Sequence, residues 1–299
     1  DYKRASSYPV GYVDYLRMYG MDFEEFLWGI GISEEMIGNL CGYLHLKTVI
    51  PEAIHSQMMN YYRQYVATGG MPEVVQKYID IRSLLQGYQY DIAYYATAEE
   101  KVKAEKCYLS LAKQLLDKEN HKFQYKEIEH GGRAQKYYSS VEWLLRADMV
   151  QLCKLVTDVR FDLDDYARDD FFRAYTTDLS LLMAMKDFSL KQHIVENTLA
   201  GNSKGGIYEC AIADALYKKG YQIYFYKNET TKREIDVIIQ KDGSVVPIEV
   251  KSGNTRANSL KWLMKNNKDI SYGYKFVDGN IGVSEEGIVT LPLYMIAFI

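Results

Sequence analysis

The sequence predicts a mixed α/β protein of the α+β kind, helical in its first half and sheet-forming in its second. Three observations predict it. Apolar side chains recur at helical spacing through most of residues 57–147. From about residue 204 a helical stretch is followed by short β-rich runs in the order αβββαβ. The composition, 47% apolar and 25% charged over 299 residues, supplies enough apolar surface for one large domain or two and excludes a disordered chain. With 21 Gly and only 5 Pro the chain is not linker-like or collagen-like. It has no run of about 18 apolar residues for a membrane span and no signal-like start. Cys41, Cys107, Cys153 and Cys210 lie far apart and form no C-x-x-C pair, which excludes a zinc ribbon and predicts free thiols in a cytoplasmic protein. The first residue is Asp1, not Met, so the chain is expected to be processed or a fragment. The 28 Tyr are expected as half-buried packing residues with a solvated hydroxyl.

Taken in order, Tyr12–Leu16 reads as a short β-like stretch. Asp22 with Glu25 three residues later reads as a reciprocal helix cap. Residues 57–66 are helical, and Gly69-Gly70-Met71-Pro72 stops that helix and starts another. Residues 72–95 and 99–117 continue as helices. Phe123–Ile128 is a short helix, Gly131-Gly132 a turn and Arg133–Ala147 a longer helix. A hairpin is expected in 149–156. Helix, short helix, turn, helix, hairpin is the order of a winged helix-turn-helix. A brief helix is expected over Thr177–Met185. A helix at 204–219 ends at Gly220, a usual residue just past a helix. Strands at 221–226, 234–240 and 245–251 follow, the last two joined by an Asp242-Gly243 turn. A helix at 257–267 and strands at 271–277 and 293–298 complete the sheet.

A net charge of −4 argues against a generally basic surface. Residues 100–160 nevertheless carry twelve basic against nine acidic side chains, whereas residues 161–190 carry three against seven. Arg133, Lys136 and Ser140 on the second helix of the winged unit, with Lys126 and Lys122 before it, form the expected nucleic-acid face. The competing expectation is that this face packs on a neighbouring domain. Asp162-Leu163-Asp164-Asp165 with Asp169-Asp170 lacks the Gly and terminal Glu of a calcium loop and reads as a solvated acidic linker. The five histidines lack ligand spacing, and the serines lack a nucleophile turn.

The chemistry concentrates in the last region. In Glu234–Gln240, Ile235, Val237 and Ile239 share one face and Asp236 points the other way with Ile238. In Val245–Lys251, Glu249 and Lys251 share a face. Glu209 lies on a helical stripe with Ile212, Ala213 and Leu216. Charged groups on covered strands are costly unless paired or metal-bound, so these residues are expected to converge. An acid on the first core helix (Glu209), an Asp on the second strand (Asp236) and Glu249-Val250-Lys251 on the third resemble the PD-(D/E)XK nuclease family, over roughly residues 195–299. The resemblance implies a restriction-endonuclease-like domain. It also implies Mg²⁺, or Mn²⁺, held by Asp236, Glu249, the Val250 carbonyl and Glu209, with Lys251 orienting water or offsetting phosphate charge. Ile235 stands where the family often has Pro.

A second resemblance runs through most of the chain. Tyr8–Val13, Phe23–Leu27, Thr68–Val75, Asp91-Ile92, Tyr175 with Asp178 and Leu181-Leu182, and Glu249-Val250-Lys251-Ser252-Gly253 are similar to the C-terminal half of prokaryotic AAA-type ATP-binding proteins. In these an ATPase core is followed by a domain of unknown function. Gly11-Tyr12 stands where Gly-Arg is common. No G-x-x-x-x-G-K-[ST] occurs, so ATP is expected only in a missing N-terminal module. The resulting division is 1–56 as the end of the ATPase module, 57–165 as the winged-helix domain and 166–299 as the nuclease-like domain. The leading expectation is a DNA-associated, ATPase-linked protein with a metal-dependent nuclease site. The alternative is a non-catalytic regulatory module that contacts a protein partner. Its own ATPase module is the implied partner in both.

Overall fold

A computed structural model of the chain describes residues 14, 16–77, 80–116, 122–251, 253 and 256–299. Of the stretch at 12–16, only residues 14 and 16 fall within them; Tyr8–Val13, His121 and Ser252 lie outside. The helices are α1 (Phe23–Gly29), α2 (Glu34–Leu46), α3 (Glu52–Thr68), α4 (Pro72–Val75), α5 (Ile81–Tyr95), α6 (Glu100–Leu115), α7 (Ala134–Arg146), α8 (Leu179–Ala184), α9 (Phe188–Val195), α10 (Gly201–Lys218) and α11 (Asn258–Asn266). The strands are β1 (Val150–Val156), β2 (Ala167–Thr176), β3 (Tyr224–Lys227), β4 (Glu234–Lys241), β5 (Ser244–Val250), β6 (Gly273–Val277), β7 (Gly282–Val283) and β8 (Ile288–Pro292).

Local chemistry explains several boundaries. Asp22 and Glu25 form the reciprocal cap of α1, each side chain accepting the other's backbone N–H at 2.9 Å. Gly220, at φ +79°, follows the end of α10. Asp242 and Gly243 both have positive φ, the signature of the two-residue turn that joins β4 to β5. The predicted order αβββαβ is present as α10, β3, β4, β5, α11 and β6.

The strands form one mixed sheet in the order β2-β1-β3-β4-β5-β6-β8-β7. The hairpin expected within residues 149–156 is instead the single strand β1. Its antiparallel partner is β2, ten residues further on. No turn residue interrupts β1, and Cys153 in its middle is fully buried. Strand β1 also pairs in parallel with β3. Both arms of the expected wing thus fall in one strand of the shared sheet. The strand expected at 293–298 is a buried 3₁₀ turn, Leu293–Phe298, and β8 precedes it. A fully apolar run carries no period that tells strand from helix, and Pro292, lacking an N–H, ends the ladder.

Helices α5–α7 cover one face of β1 and β2 through Ile92, Tyr108, Tyr137, Leu144, Leu152 and Phe172. The largest core holds Ile212 and Leu216 of α10 against Val237, Ile239, Val246, Ile248 and Val250. It also takes in Phe23, Phe26 and Leu27 of α1 and Tyr294, so the first helices and the end of the chain share one interior. On the sheet's opposite face, Leu260 and Leu263 of α11 pack with Ile235, Ile238 and Val245. Among the described residues, no helix is long and apolar enough to cross a membrane.

Candidate functional site

The site forms where β4 begins and β5 ends, between α10 on one face and α11 on the other. The regular ladder of these strands runs from Lys241–Ser244 to Val237–Ile248. Beyond it the Asp236 carboxylate replaces a backbone acceptor: its Oδ2 receives the Val250 N–H at 2.8 Å. A bulge makes this possible. Tyr224 pairs with Ile238 and Tyr226 with Ile235, so Asp236 and Val237 together oppose Phe225 alone. An extra residue bends a strand and re-aims its side chains. It also corrects the expected phase: Ile235 packs with Ile238 on the α11 face rather than with Val237 and Ile239.

Glu249 is 2% exposed and alternates with Ile248 and Val250, which face α10. It therefore lies towards α11, where its Oε2 accepts the Leu260 N–H at 3.3 Å. Its Oε1 pairs with Lys251 Nζ at 2.7 Å. The Lys251 backbone N–H donates to Phe276 of β6 at 2.9 Å, fixing the residue at the strand end. Burial pushes the Glu249 carboxyl up, Lys251 pulls it down and Asp236 adds a smaller upward push. Burial would lower the Lys251 ammonium, but Asp236, then Glu249 and more weakly Glu209, hold it above its ordinary value. Asp236, Glu249 and Lys251 thus act on one another electrostatically at one end of the sheet.

Glu209 is placed differently. It lies on α10 as expected, with Ile212, Ala213 and Leu216 buried beside it. Its Oε1, however, binds Arg173 Nη1 at 2.6 Å and Tyr175 Oη at 2.8 Å. Arg173 also donates to the Asp236 carbonyl at 3.3 Å, and its Nη2 pairs with Glu234. The guanidinium stacks 4.4 Å from the Phe225 ring centre. The expected sharing of one cation by Glu209, Asp236 and Glu249 is not the arrangement found. Among the described residues, no three His, Cys, Asp or Glu side chains are grouped as a metal ion requires. The reason is Arg173, which draws Glu209 towards β2. Sequence reading missed it as a site residue, although Arg173 and Tyr175 alternate on a strand-like run, which was the available signal. The Val250 side chain is core, 1% exposed, and its backbone N–H serves Asp236.

The expected nucleic-acid face is dispersed. Ser140 is fully buried and donates to Glu100, so it is not on the polar side of α7. Lys136 pairs with Glu129, as does Lys106. Arg133 and Lys126 are exposed. Among the histidines, His55 is buried with Nδ1 3.1 Å from Tyr294 Oη, and His193 bonds Thr198. Both are satisfied structural contacts.

Two family models match the chain. Residues 59–192 match one described as a domain of unknown function, DUF8612, and residues 204–296 match another, DUF4143. The shared sheet crosses between them: β1 and β2 come from the first segment and β3–β8 from the second. No curated protein and no solved structure matches.

Proposed function

We propose that this chain is the C-terminal part of an ATPase-linked, DNA-associated protein, and that Asp236, Glu249 and Lys251 form a Mg²⁺-dependent phosphodiesterase centre in a PD-(D/E)XK nuclease-like domain. The supporting observation is the meeting of two carboxylates and one ammonium at the start of β4 and the end of β5, with the Lys251–Glu249 pair at 2.7 Å. The match of residues 204–296 to DUF4143, a domain often found in C-terminal regions associated with AAA ATPases, supports the linkage. ATP would be bound by a preceding module. Residues 122–176, with α7 before the β1–β2 pair, are read as a winged helix merged into the sheet.

Asp236 and Glu249 would offer two carboxylates with hard oxygens to a divalent cation, its remaining positions being left to water and phosphate. Asp236 spends Oδ2 on a backbone N–H, and Glu249 would exchange part of its contact with Lys251. A bound Mg²⁺ would acidify a water molecule and screen a phosphate. Lys251, 24% exposed, would then be released to offset charge building on the phosphate. Glu209 acts at one remove, holding Arg173 against the Asp236 carbonyl and so positioning the bulge.

One observation favours a second reading. A buried guanidinium bridging Glu209 and Glu234 is what a degenerate, non-catalytic site would use for a regulatory module that contacts a protein partner.

Thermal melting of the chain with and without Mg²⁺ or Mn²⁺, beside cleavage assays on DNA and RNA, separates the two. The nuclease reading expects a metal-dependent rise in Tm and cleavage, both lost in Asp236→Ala. Lys251→Ala should lose cleavage and keep the rise. A wild-type Tm indifferent to both metals would overturn the catalytic reading and favour the regulatory one.

A further inference from the structure

Beside the acidic end lies a concave basic pocket of about 660 Å³. It is lined by Arg233, just before β4, by Asn258, Lys261, Trp262 and Lys265 of α11, and by Glu286. Asn258, Lys261, Trp262 and Lys265 share one face of α11 at helical spacing. Its connection to the site is direct. Arg233 lies three residues before Asp236 and donates to the Asn258 carbonyl at 3.5 Å. Two residues after Asn258, the Leu260 N–H caps Glu249.

We infer that this pocket holds single-stranded nucleic acid next to the Asp236–Glu249–Lys251 centre, with a base stacked on the Arg233–Trp262 platform and phosphates on Lys261 and Lys265. The inference rests on the phosphodiesterase reading for its catalytic sense and on the pocket's own chemistry for binding. The acidic centre repels a polyanion, so a strand held there needs cations alongside. Three line the pocket against one carboxylate. The Arg233 guanidinium lies over the Trp262 ring, 5.4 Å from its centre, and puts together two planar groups of the kind on which bases stack irrespective of sequence. The recess favours one strand over two, because in a duplex the base faces are covered by their neighbours and only an unstacked base offers a face to Trp262. Lys261 and Lys265 stand one helical turn apart, so neighbouring phosphates of one strand can each meet a cation. Glu286 pairs with Lys261 at 2.6 Å, both side chains half exposed, and a phosphate competes with it for that ammonium.

The test is fluorescence anisotropy of labelled oligothymidylate, titrated with the full chain in EDTA, beside a duplex of the same length. Binding should favour the single strand and quench tryptophan emission. Trp262→Ala should weaken it about tenfold, while Trp262→Phe, which keeps a ring, retains most of it. Replacing both Lys261 and Lys265 by Ala should lower the salt slope by about 1.4. Glu286→Gln, which removes the competing carboxylate, should tighten binding, an effect that no loss of folding produces. Equal affinity for the duplex, or Trp262→Ala, Lys261→Ala/Lys265→Ala and Glu286→Gln variants that all bind like the wild type, would overturn the proposal. Binding in EDTA with no cleavage once Mg²⁺ or Mn²⁺ is restored would sink the phosphodiesterase reading and leave the pocket assignment standing.

Discussion

Two lysines of this molecule sit among carboxylates, and their surroundings differ. Lys218, at the end of α10, is enclosed. Its ammonium lies 2.7 Å from Asp178, 2.9 Å from Asp214, 3.0 Å from Tyr65 Oη and 3.1 Å from the Met21 carbonyl. The side chains of Lys218 and Asp214 are 2% exposed and that of Asp178 is fully buried. Lys251 is bonded to the single carboxylate of Glu249 and is 24% exposed. A buried ammonium with its hydrogens spent is a joint, because moving any partner strands a charge in low dielectric. An ammonium that reaches solvent and has donors left to give can meet a ligand. Charge pairing alone therefore does not mark a functional site; exposure and unspent bonding capacity do.

The Lys218 joint is also where the Gly69-Gly70-Met71-Pro72 motif lands. The Asp178 carboxylate accepts the Gly70 N–H at 3.1 and 3.2 Å and caps α8 through the Ser180 N–H at 2.7 Å. A Cβ on Gly70 would stand 2.0 Å from the Met21 carbonyl oxygen, so the motif's glycine is a packing requirement. The motif ties the α3–α4 corner to α8 and α10.

The largest expected effect breaks this joint. Lys218→Ala leaves Asp178 and Asp214 facing each other without a cation, and should cost about 3–5 kcal/mol in urea unfolding. A loss below about 1 kcal/mol would show that the enclosed and open lysines do not differ as described.

Next in size is Arg173→Met. It keeps the packing over Phe225 but removes the cation from Glu209 and Glu234, whose side chains are 12% and 16% exposed. Water relieves part of the cost, so about 3 kcal/mol is expected. The same variant frees Glu209 beside the Asp236 bulge, so added Mn²⁺ should recover more stability than in the wild type. Equal metal responses in the two proteins would show that Arg173 does not govern access of a cation to Glu209.

Much of this fold was legible because its signals are local. The Asp22–Glu25 cap, the Asp242-Gly243 turn and the order from α10 to β6 follow from residue types a few positions apart. The parallel pairing of β1 with β3 left no local trace, and it turns an expected wing into part of the sheet. The site was half legible for a related reason. Glu249 and Lys251 follow from an unbroken period of two. Asp236 was found, but its bond to the Val250 N–H was not, because the bulge at 236–237 breaks that period. Arg173 comes from a strand 36 residues before Glu209 and pairs with it only through the tertiary fold. Nothing in the spacing of the acids reveals that a cation of the chain itself sits among them.

The finest test of the comparison uses pH. One ammonium neutralises one of two carboxylates, so in the enclosed cluster the other is driven to keep its proton. Asp178 receives N–H bonds from Gly70 and Ser180. Among the described residues, Asp214 receives only the Tyr65 hydroxyl at 3.3 Å besides Lys218. Burial raises Asp214 to about 7, against a smaller downward pull from Lys218 and an upward push from Asp178. Between about pH 4 and 7 the folded chain therefore holds a proton on Asp214 that the unfolded chain has lost. Folding binds the extra proton, so stability falls as pH rises through that window and levels off above it. Lys218, held well above its ordinary value, stays charged throughout and adds no slope there. Asp214→Asn is neutral in both states and should remove this contribution while other groups titrate as before. The difference in urea stability between wild type and variant, measured at pH 5 and pH 7.5, should change by on the order of 2 kcal/mol, with the wild type losing more on the alkaline side. A pH-independent difference would mean that Asp214 is ionised in the folded chain, and that the cluster around Lys218 carries an unbalanced buried charge.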